Sequence, residues 1–520
     1  MKKTLIIVLC IILAAALCAT FIILGKRFID NSPDSSDTDG ATEGETILKP
    51  TEKPTESQPT GPYTNEFAGE KLVLLSRDTH SCRREWGKEA PEDELDETIE
   101  FRKSFAKETL GIEFEVEYVP WSEDENTRAQ FNDLILGDIL GGLHKYDAVV
   151  NHSSYATTAA LRGCYADLLG EEFASFDFSH SGWNQSMREN TIGGKLYYMT
   201  GDMNVTQFDN SVVVWHNRSL WTHVYEEGDE SLVESVHSGK WDLELMNKWI
   251  TVAYDRYSPT DRSPIEHLLG LGVDDADGSP VLTDAVPTSW QLDFVIGSDA
   301  DGRDFNYLEN DRADSALESL KALYASDRTA TDVNIDRFAT EKVLFYVAPI
   351  YTNYEENMTR REMDDKHELL PMPKLEDEQE KYITYTLDGF SLFSVLDHSK
   401  SSVKTKSGAI AMYFQYSAEK SYEDVRDYYC YRVVKVKLFG DSTKEYGELE
   451  WPRSMFTMFN MATENIVINF DQLYSSELEY PTHLWREAAK SGKTLEDAFG
   501  EQMEAMRQAL QMLDKPTTAE

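Results

Sequence analysis

A chain of 520 residues is too long for one small core, and its 41% hydrophobic and 11% aromatic content is that of a globular protein, so two or three domains are expected. Against 93 acidic residues stand 50 basic ones, a formal net charge of −43. A surface so negative repels nucleic acid and anionic lipid, which excludes a role that tracks phosphates.

The N-terminus is basic (Met1–Lys3), and Leu5–Leu24 is an apolar run of about bilayer-spanning length that ends at Gly25, Lys26 and Arg27. A secretory signal usually has a shorter apolar core, so residues 1–29 are expected to form an uncleaved signal anchor. Ala14-x-Ala16 leaves cleavage open. Cys18 leaves lipidation open, although Leu17 before it departs from the small residue that lipoprotein signals carry. Each reading puts the rest of the chain on the extracellular side of the plasma membrane. Residues 30–66, rich in Asp, Ser, Thr, Pro, Gly and Glu, cannot bury enough surface to offset ordering entropy and are expected to be a disordered acidic tether. Beyond Cys10 and Cys18, the cysteines are Cys82, Cys164 and Cys430, without CxxC spacing. Neither a disulfide framework nor a zinc site is expected, while one bridge with a free thiol stays open.

KLVLLSRD opens the folded region as a strand apolar at consecutive positions, the pattern of a strand covered on both faces. A helix over Glu97–Leu110, a strand over Glu113–Val119, a helix over Thr127–Leu140 and a strand over Asp147–Val150 follow. This alternation predicts βαβ units and a parallel sheet. Ligands of such sheets bind beyond the strand carboxyl ends, here Ser76-Arg77-Asp78, Pro120-Trp121 and Asn151-His152-Ser153-Ser154.

Trp183–Trp221 combines a Trp among polar neighbours, a Gly-Gly turn, an aromatic strand (Leu196, Tyr197, Tyr198), a small-polar loop ending on Asp202 and the β-branched run Val212–Val214. Aromatic faces beside amides and carboxylates suit a sugar, because rings cover its C–H face while polar groups take the hydroxyls; ordinary core strands around a buried Trp would look the same. Further on, Trp241, Leu245, Trp249 and Val252 fall near helical spacing, as a core face does. The Asp-Gly clusters at Asp274–Gly278 and Asp299–Gly302 lack the first ligand of a calcium loop and are expected to be turns, with no metal. A helix over Ala313–Ala325, a strand in KVLFYVAPIYTNY, an extended LLPMPKL, a strand in YTLDGFSLFSV, a helix over Lys404–Tyr416 and an amphipathic helix over Thr494–Leu513 complete the pattern.

Enzymatic constellations are mostly absent: no G-x-S-x-G elbow and no H-E-x-x-H pair occur. SGKT at Ser491–Thr494 lacks the first glycine of a phosphate loop and is expected to start a helix. Carboxylates are too abundant for any two to mark a glycosidase.

KYDAVV with GCYADL, GWNQSM with GGKLYYMTGDM, VVVWHNRSLW, SGKWDLELM, FATEKVLFYV and LLPMPKLEDEQEKY follow one another in order over most of residues 70–470. In this series the chain resembles the extracellular solute-binding proteins of family 1, carbohydrate-type receptors that feed ABC importers. The resemblance implies an α/β, two-lobe, periplasmic-binding-protein-like (type II, Venus flytrap) fold. Lobe 1 would hold 67–212 with 374–430 and lobe 2 213–373 with 431–513, leaving 514–520 as a tail. The chain would cross near Ser211–Val214, Pro371–Pro373 and Tyr428–Val436. It further implies no reaction, no cofactor, a monomer, and permease subunits that recognise the closed, sugar-loaded form. The ligand contacts expected are Trp183 and Tyr351 as stacking faces, Asp78, Asp202 and Asp388 as hydroxyl acceptors, and Arg77 and Asn184 as donors. The alternatives are a membrane-anchored extracellular enzyme acting on polysaccharide, and a sensor ectodomain serving a separate transducer.

Overall fold

A strand apolar at consecutive positions is stable only where both faces are covered, and KLVLLSRD meets that condition. In the computed structural model it is β1 (Lys71–Asp78), with Leu72, Leu74, Leu75, Ser76 and Arg77 buried. The structure describes residues 63–514, apart from 89, 123, 219, 222–224, 226–229, 257–267, 275–279, 307–309, 341–342, 354–366, 400, 402–405, 431–452, 479 and 501. The apolar run Leu5–Leu24, Cys18, most of the tether, the first Asp-Gly cluster after Asp274 and the crossing at residues 431–436 lie outside the described residues. Among those described, no helix is long and apolar enough to cross a membrane. Tyr63, expected in the tether, packs edge-on against Tyr416 at 5.1 Å and so belongs to the folded part.

After β1 come α1 (His80–Glu85), capped by Thr79, and α2 (Glu94–Leu110), capped by Asp93 and ended by Gly111 at φ 67, a left-handed position that glycine takes at least cost. Next follow β2 (Glu113–Pro120), α3 (Glu125–Ile139), β3 (Ala148–His152) and α4 (Ser153–Leu161). β1 pairs in parallel with both β2 and β3, as the alternation predicts. The buried β3 lies inside the sheet, whereas β2, at its edge, is only partly covered.

The expected aromatic strand at Leu196–Tyr198 is not a regular strand. Gly193 and Gly194, at φ 55 and 76, turn the chain, and the segment then touches the sheet through one bridge, Met199 to Phe393. α5 (Thr206–Asp209) leads into β4 (Val212–Asn217), buried throughout. In α6 (Leu243–Arg256) the core face is turned from the expected one: Met246, Trp249, Ile250 and Ala253 are buried while Val252 is exposed. The period was right and the phase was not, because Trp241 lies before the helix and enters the core from the preceding turn.

β5 (Leu269–Val273), α7 (Asp311–Tyr324), β6 (Thr329–Ala330), β7 (Val343–Pro349) and β8 (His367–Leu370) follow. A second sheet has the order β8-β4-β7-β5-β6. The extended Pro371–Pro373 is fixed by two indoles, Trp241 Nε1 donating to Pro371 O at 2.8 Å and Trp290 Nε1 to Pro373 O at 3.1 Å.

YTLDGFSLFSV is two strands rather than one, β9 (Thr384–Tyr385) and β10 (Ser391–Val395), with Asp388-Gly389 between them. A Cβ at residue 389 would lie 2.6 Å from Asn210 Oδ1, so a side chain there would have to displace the Asn210 amide. β10 runs antiparallel to β3, completing the first sheet as β10-β3-β1-β2. α8 (Ser407–Lys420) covers it, and β9 pairs with β11 (Ile466–Val467). The last turns are α9 (Phe470–Leu473) and α10 (Pro481–Ser491). The expected Thr494–Leu513 helix is broken at Gly500 into Leu495–Phe499 and Met503–Asp514. Thr494 and Asp497 form a capping box, so SGKT does start a helix. Cys82, Cys164 and Cys430 are buried and unbridged. Asp299–Asp301 form a turn.

Candidate functional site

The three strand ends of the first sheet converge. The Arg77 guanidinium, at the end of β1, lies 5.3 Å from the centre of the Trp121 ring, just past β2. Trp121 stacks on His152, at the end of β3, at 5.7 Å and 21°. Tyr155, in the first turn of α4, is 5.2 Å from His152, and the Arg128 guanidinium of α3 covers its ring at 4.9 Å. Trp121 and Tyr155 are half-buried. Rings kept partly open beside polar groups are what a sugar face requires. Burial, with Arg77 and Arg128 adding to it, pushes the His152 pKa well below its ordinary value. The ring is therefore neutral near pH 7, and its Nδ1 accepts from Ser154 N at 3.3 Å.

Behind Arg77 lies a buried network. Arg77 Nη2 donates to Ser391 Oγ at 3.0 Å, and Ser391 Oγ donates to Glu85 Oε2 at 2.8 Å. Glu85 Oε1 accepts from the Thr206 amide at 3.0 Å and from its hydroxyl. Desolvation pushes the Glu85 carboxyl up to about 7 against the hydrogen bonds and the Arg77 charge. The network joins the strand ends to α5, the last turn before β4.

Asp388 stands on the other side of β3. Its carbonyl accepts from Ser153 Oγ at 2.9 Å, and its carboxylate accepts from Gln472 Nε2 at 3.2 Å. Desolvation raises its pKa although one edge is solvent-exposed. His483 and Arg486 of α10 act on it by charge. Arg486 is anchored by a two-pronged pair to Asp284. Tyr480, immediately before α10, has φ 55, an outlying conformation for an aromatic residue, and its exposed ring stacks on His483 at 4.9 Å and 10°. Strained backbone presenting an exposed aromatic face is a feature of ligand sites.

The expected contact residues divide. Arg77 and Asp388 belong to the strand-end corner. Asp78 is there too, but it is taken by Arg83, whose Nη2 donates at 2.9 Å and whose hydrogen bonds hold the carboxyl below its ordinary pKa. Tyr351 is half-buried in the turn after β7, whose Ile350 N donates to Ser211 O at 2.9 Å. Trp183, Asn184 and Asp202 gather elsewhere, along a cavity of about 1190 Å³ that none of the strand-end residues lines. Trp183 is 1% exposed, its ring against Phe176, Phe178 and Phe393 and its Nε1 donating to Gln415 at 2.9 Å. That ring offers no stacking face here, which corrects its expected role. Asn184 donates to Ile466 O at 3.1 Å, and Asp202 accepts from Gln207 Nε2 at 3.2 Å; desolvation pushes the Asp202 carboxyl up to about 6.

The cavity is roomy but strongly acidic. Glu378, Glu380, Glu423, Asp427 and Glu464 join Asp202 there, against Lys381 and Arg426. We place the candidate site at the strand ends, where partly open rings, a buried cation and the general rule for such sheets coincide. Arg128, Tyr155, Tyr480 and His483 were missed by sequence reasoning. For the last pair a signal exists, an aromatic residue and a histidine three apart bracketing a helix-starting proline; for Arg128 and Tyr155 there is none. Among the described residues no three His, Cys, Asp or Glu side chains converge as a metal centre requires.

No protein-family model and no curated protein matches the sequence. Solved structures do. The cyclic α-maltosyl-1,6-maltose binding protein of Arthrobacter globiformis superposes with a TM-score of 0.52 at 11% identity, covering 85% of this chain and 98% of that one. The two chains share a mixed α/β fold. A cyclo/maltodextrin-binding protein solved with maltotetraose gives a TM-score of 0.50 at 14% identity over 86% of this chain and 98% of its own. At such identities the likeness concerns the fold, and residue roles rest on the geometry above.

Proposed function

We propose that this protein is the extracellular substrate-binding receptor of an ABC importer and captures a sugar or oligosaccharide by closing two lobes around it. The observation that carries the reading is the Trp121–His152–Tyr155 stack, set at the carboxyl ends of parallel strands in a fold shared with sugar-binding proteins. Lobe 1 corresponds to 67–212 with 374–430 and lobe 2 to 213–373 with 431–513. Membership of the two larger sheets supports this division, since β1–β3 and β10 fall in the first set and β4–β8 in the second, while the short pair β9–β11 joins the two sets. A ligand touching both lobes favours the closed form by what it gains from the second one. Arg77, Trp121, Tyr155 and Asp388 contribute from lobe 1, Tyr351, Tyr480 and His483 from lobe 2. The protein binds without turnover and hands its ligand to permease subunits. The N-terminal apolar run, or lipid on Cys18, holds it at the membrane.

Small-angle scattering across a broad glycan panel tests this. A binding glycan is expected to compact the protein and to remain chemically unchanged. Tyr480→Gly, which removes the ring and relieves the left-handed strain, is expected to weaken binding by roughly 10-fold, the loss of one stacking anchor, with no loss of thermal stability. No compaction with any glycan would sink the reading, and release of reducing ends would make the protein an enzyme instead.

A further inference from the structure

Glu85, the last residue of α1, is fully buried, and its carboxylate is the point on which two other elements meet. Oε1 accepts from the Thr206 amide at 3.0 Å and from the Thr206 hydroxyl, at the start of α5. Oε2 accepts from Ser391 Oγ of β10 at 2.8 Å, and that hydroxyl oxygen accepts from Arg77 Nη2 at 3.0 Å. Ser391 N donates to Thr206 Oγ1 at 2.9 Å, which closes a ring of bonds among α1, α5 and β10. α5 is also where the chain leaves the first sheet for the second. Its Asp209 Oδ1 accepts from the Tyr429 hydroxyl at 2.6 Å, and Asn210 O accepts from Leu387 N at 2.9 Å on the returning segment. What fixes α5 therefore fixes the connections between the sheets.

The charge on Glu85 decides how this ring is bonded. Thr206 fills Oε1 with two donors, so an added proton goes to Oε2 and meets Ser391 Oγ, which then accepts where it donated. The Ser391 hydrogen turns away, with Cys82 Sγ in reach at 3.8 Å. Arg77 and Thr206 both lose a charge-assisted partner. Burial pushes the Glu85 carboxyl up to about 7, while the bonds from Thr206 and Ser391 and the Arg77 charge pull it down, so those contacts favour the ionised form. The charged and titratable groups around it hold still near neutral pH. Arg77 of β1 and Arg102 of α2, whose Nη2 donates to Glu85 O at 2.6 Å, keep their charge. Burial raises Cys82 of α1, Tyr118 of β2 and, beyond Arg102, Tyr413 of α8, and His152, which feels Arg77, stays neutral.

We infer that Glu85 is a positioning residue for the candidate site: its ionised form holds Arg77 and α5 together, and acidification loosens both and weakens ligand capture. The inference deepens the receptor reading and rests on it for the ligand.

Two measurements on the whole chain, each taken from pH 8 to pH 6, test it. Hydrogen exchange read by mass spectrometry over residues 204–211 is expected to show protection factors falling several-fold as the pH is lowered. Titration calorimetry with neutral tetrasaccharides of glucose, xylose and mannose is expected to show the tightest of them weakening about 3- to 10-fold, the difference between a charge-assisted and a neutral hydrogen bond. Glu85→Gln is expected to remove both responses. Shifts that belong to Asp388 and His483, whose pKa values burial also moves, persist in the variant and drop out by difference. Ser391→Ala cuts Arg77 from the carboxyl and leaves Thr206 on it, so it is expected to flatten the affinity response and keep the exchange response. Should Glu85→Gln fail to fold, that split decides the question. Equal pH responses in the parent and the variants would overturn the inference while leaving the receptor reading standing. If no glycan binds, the receptor reading falls, and the exchange response by itself decides whether Glu85 holds α5.

Discussion

Trp183 shows how a residue's chemistry can be read correctly and its use wrongly. A Trp followed by Asn and Gln suggests a sugar platform, yet its ring is sealed by Phe176, Phe178 and Phe393 and its indole N–H is satisfied by Gln415. Trp183→Ala is therefore expected to cost about 3–5 kcal/mol of stability, the range for truncating a large core aromatic, in a urea-denaturation measurement. Full stability with lost glycan binding would restore the stacking role. Arg77 was legible because it ends a strand, and strand ends have a fixed relation to the site. His152 and Ser153 were legible for the same reason. Tyr480 lies on no such landmark.

Among the elements, those buried on both faces were the most legible. β1, β3, β4 and β7 each write consecutive apolar residues, a pattern confined to a few neighbouring positions. The two-residue strands β6, β9 and β11 carry no such pattern, since distant partners alone define them. The loop over residues 181–202 is of the same kind. It is pinned where Trp183 bridges Gly201 and Asp202 N donates to Gly182 O at 2.9 Å. A Cβ at position 201 would meet Gly182 O at 2.1 Å. Gly201→Ala is expected to push these backbones apart and cost about 1–3 kcal/mol, as overpacking does, seen as a lower denaturation midpoint. An unchanged midpoint would mean that the loop can spread without loss.

For the molecule as a whole, buried carboxyls govern how stability depends on pH. Burial pushes Glu85 and Asp471 up to about 7 and Asp202 up to about 6. Each folded-state pKa lies above its unfolded value, so the fold favours the protonated form. Their stabilisation is complete below about pH 4 and is lost as pH rises toward 7. Carboxylates held low by partners, such as Asp96 beside Arg84, act in the opposite sense at more acidic pH. Buried His152 and His216, held below their ordinary pKa, act against the carboxyls between pH 5 and 6.5. The Glu85 contribution, on the order of 3 kcal/mol across its shift, is therefore read by difference. Glu85→Gln is expected to make the slope of unfolding free energy between pH 5 and 7.5 less negative than in the parent. An identical slope in the variant would remove Glu85 from the account.

By itself the sequence determined the alternating α/β pattern of the first sheet, the buried strands of the second and the acidic surface, because periodicity and charge are written within short windows. It also located the strand ends at which the candidate site is placed. Only the tertiary structure decided which loops meet: Arg77 and Ser391, bonded at 3.0 Å, stand 314 positions apart, and no local pattern encodes a contact across that distance. The same long-range packing sealed Trp183 into the core, left Tyr480 open at the start of its helix, and tied Arg77 through Ser391 to Glu85 behind the ends of the strands.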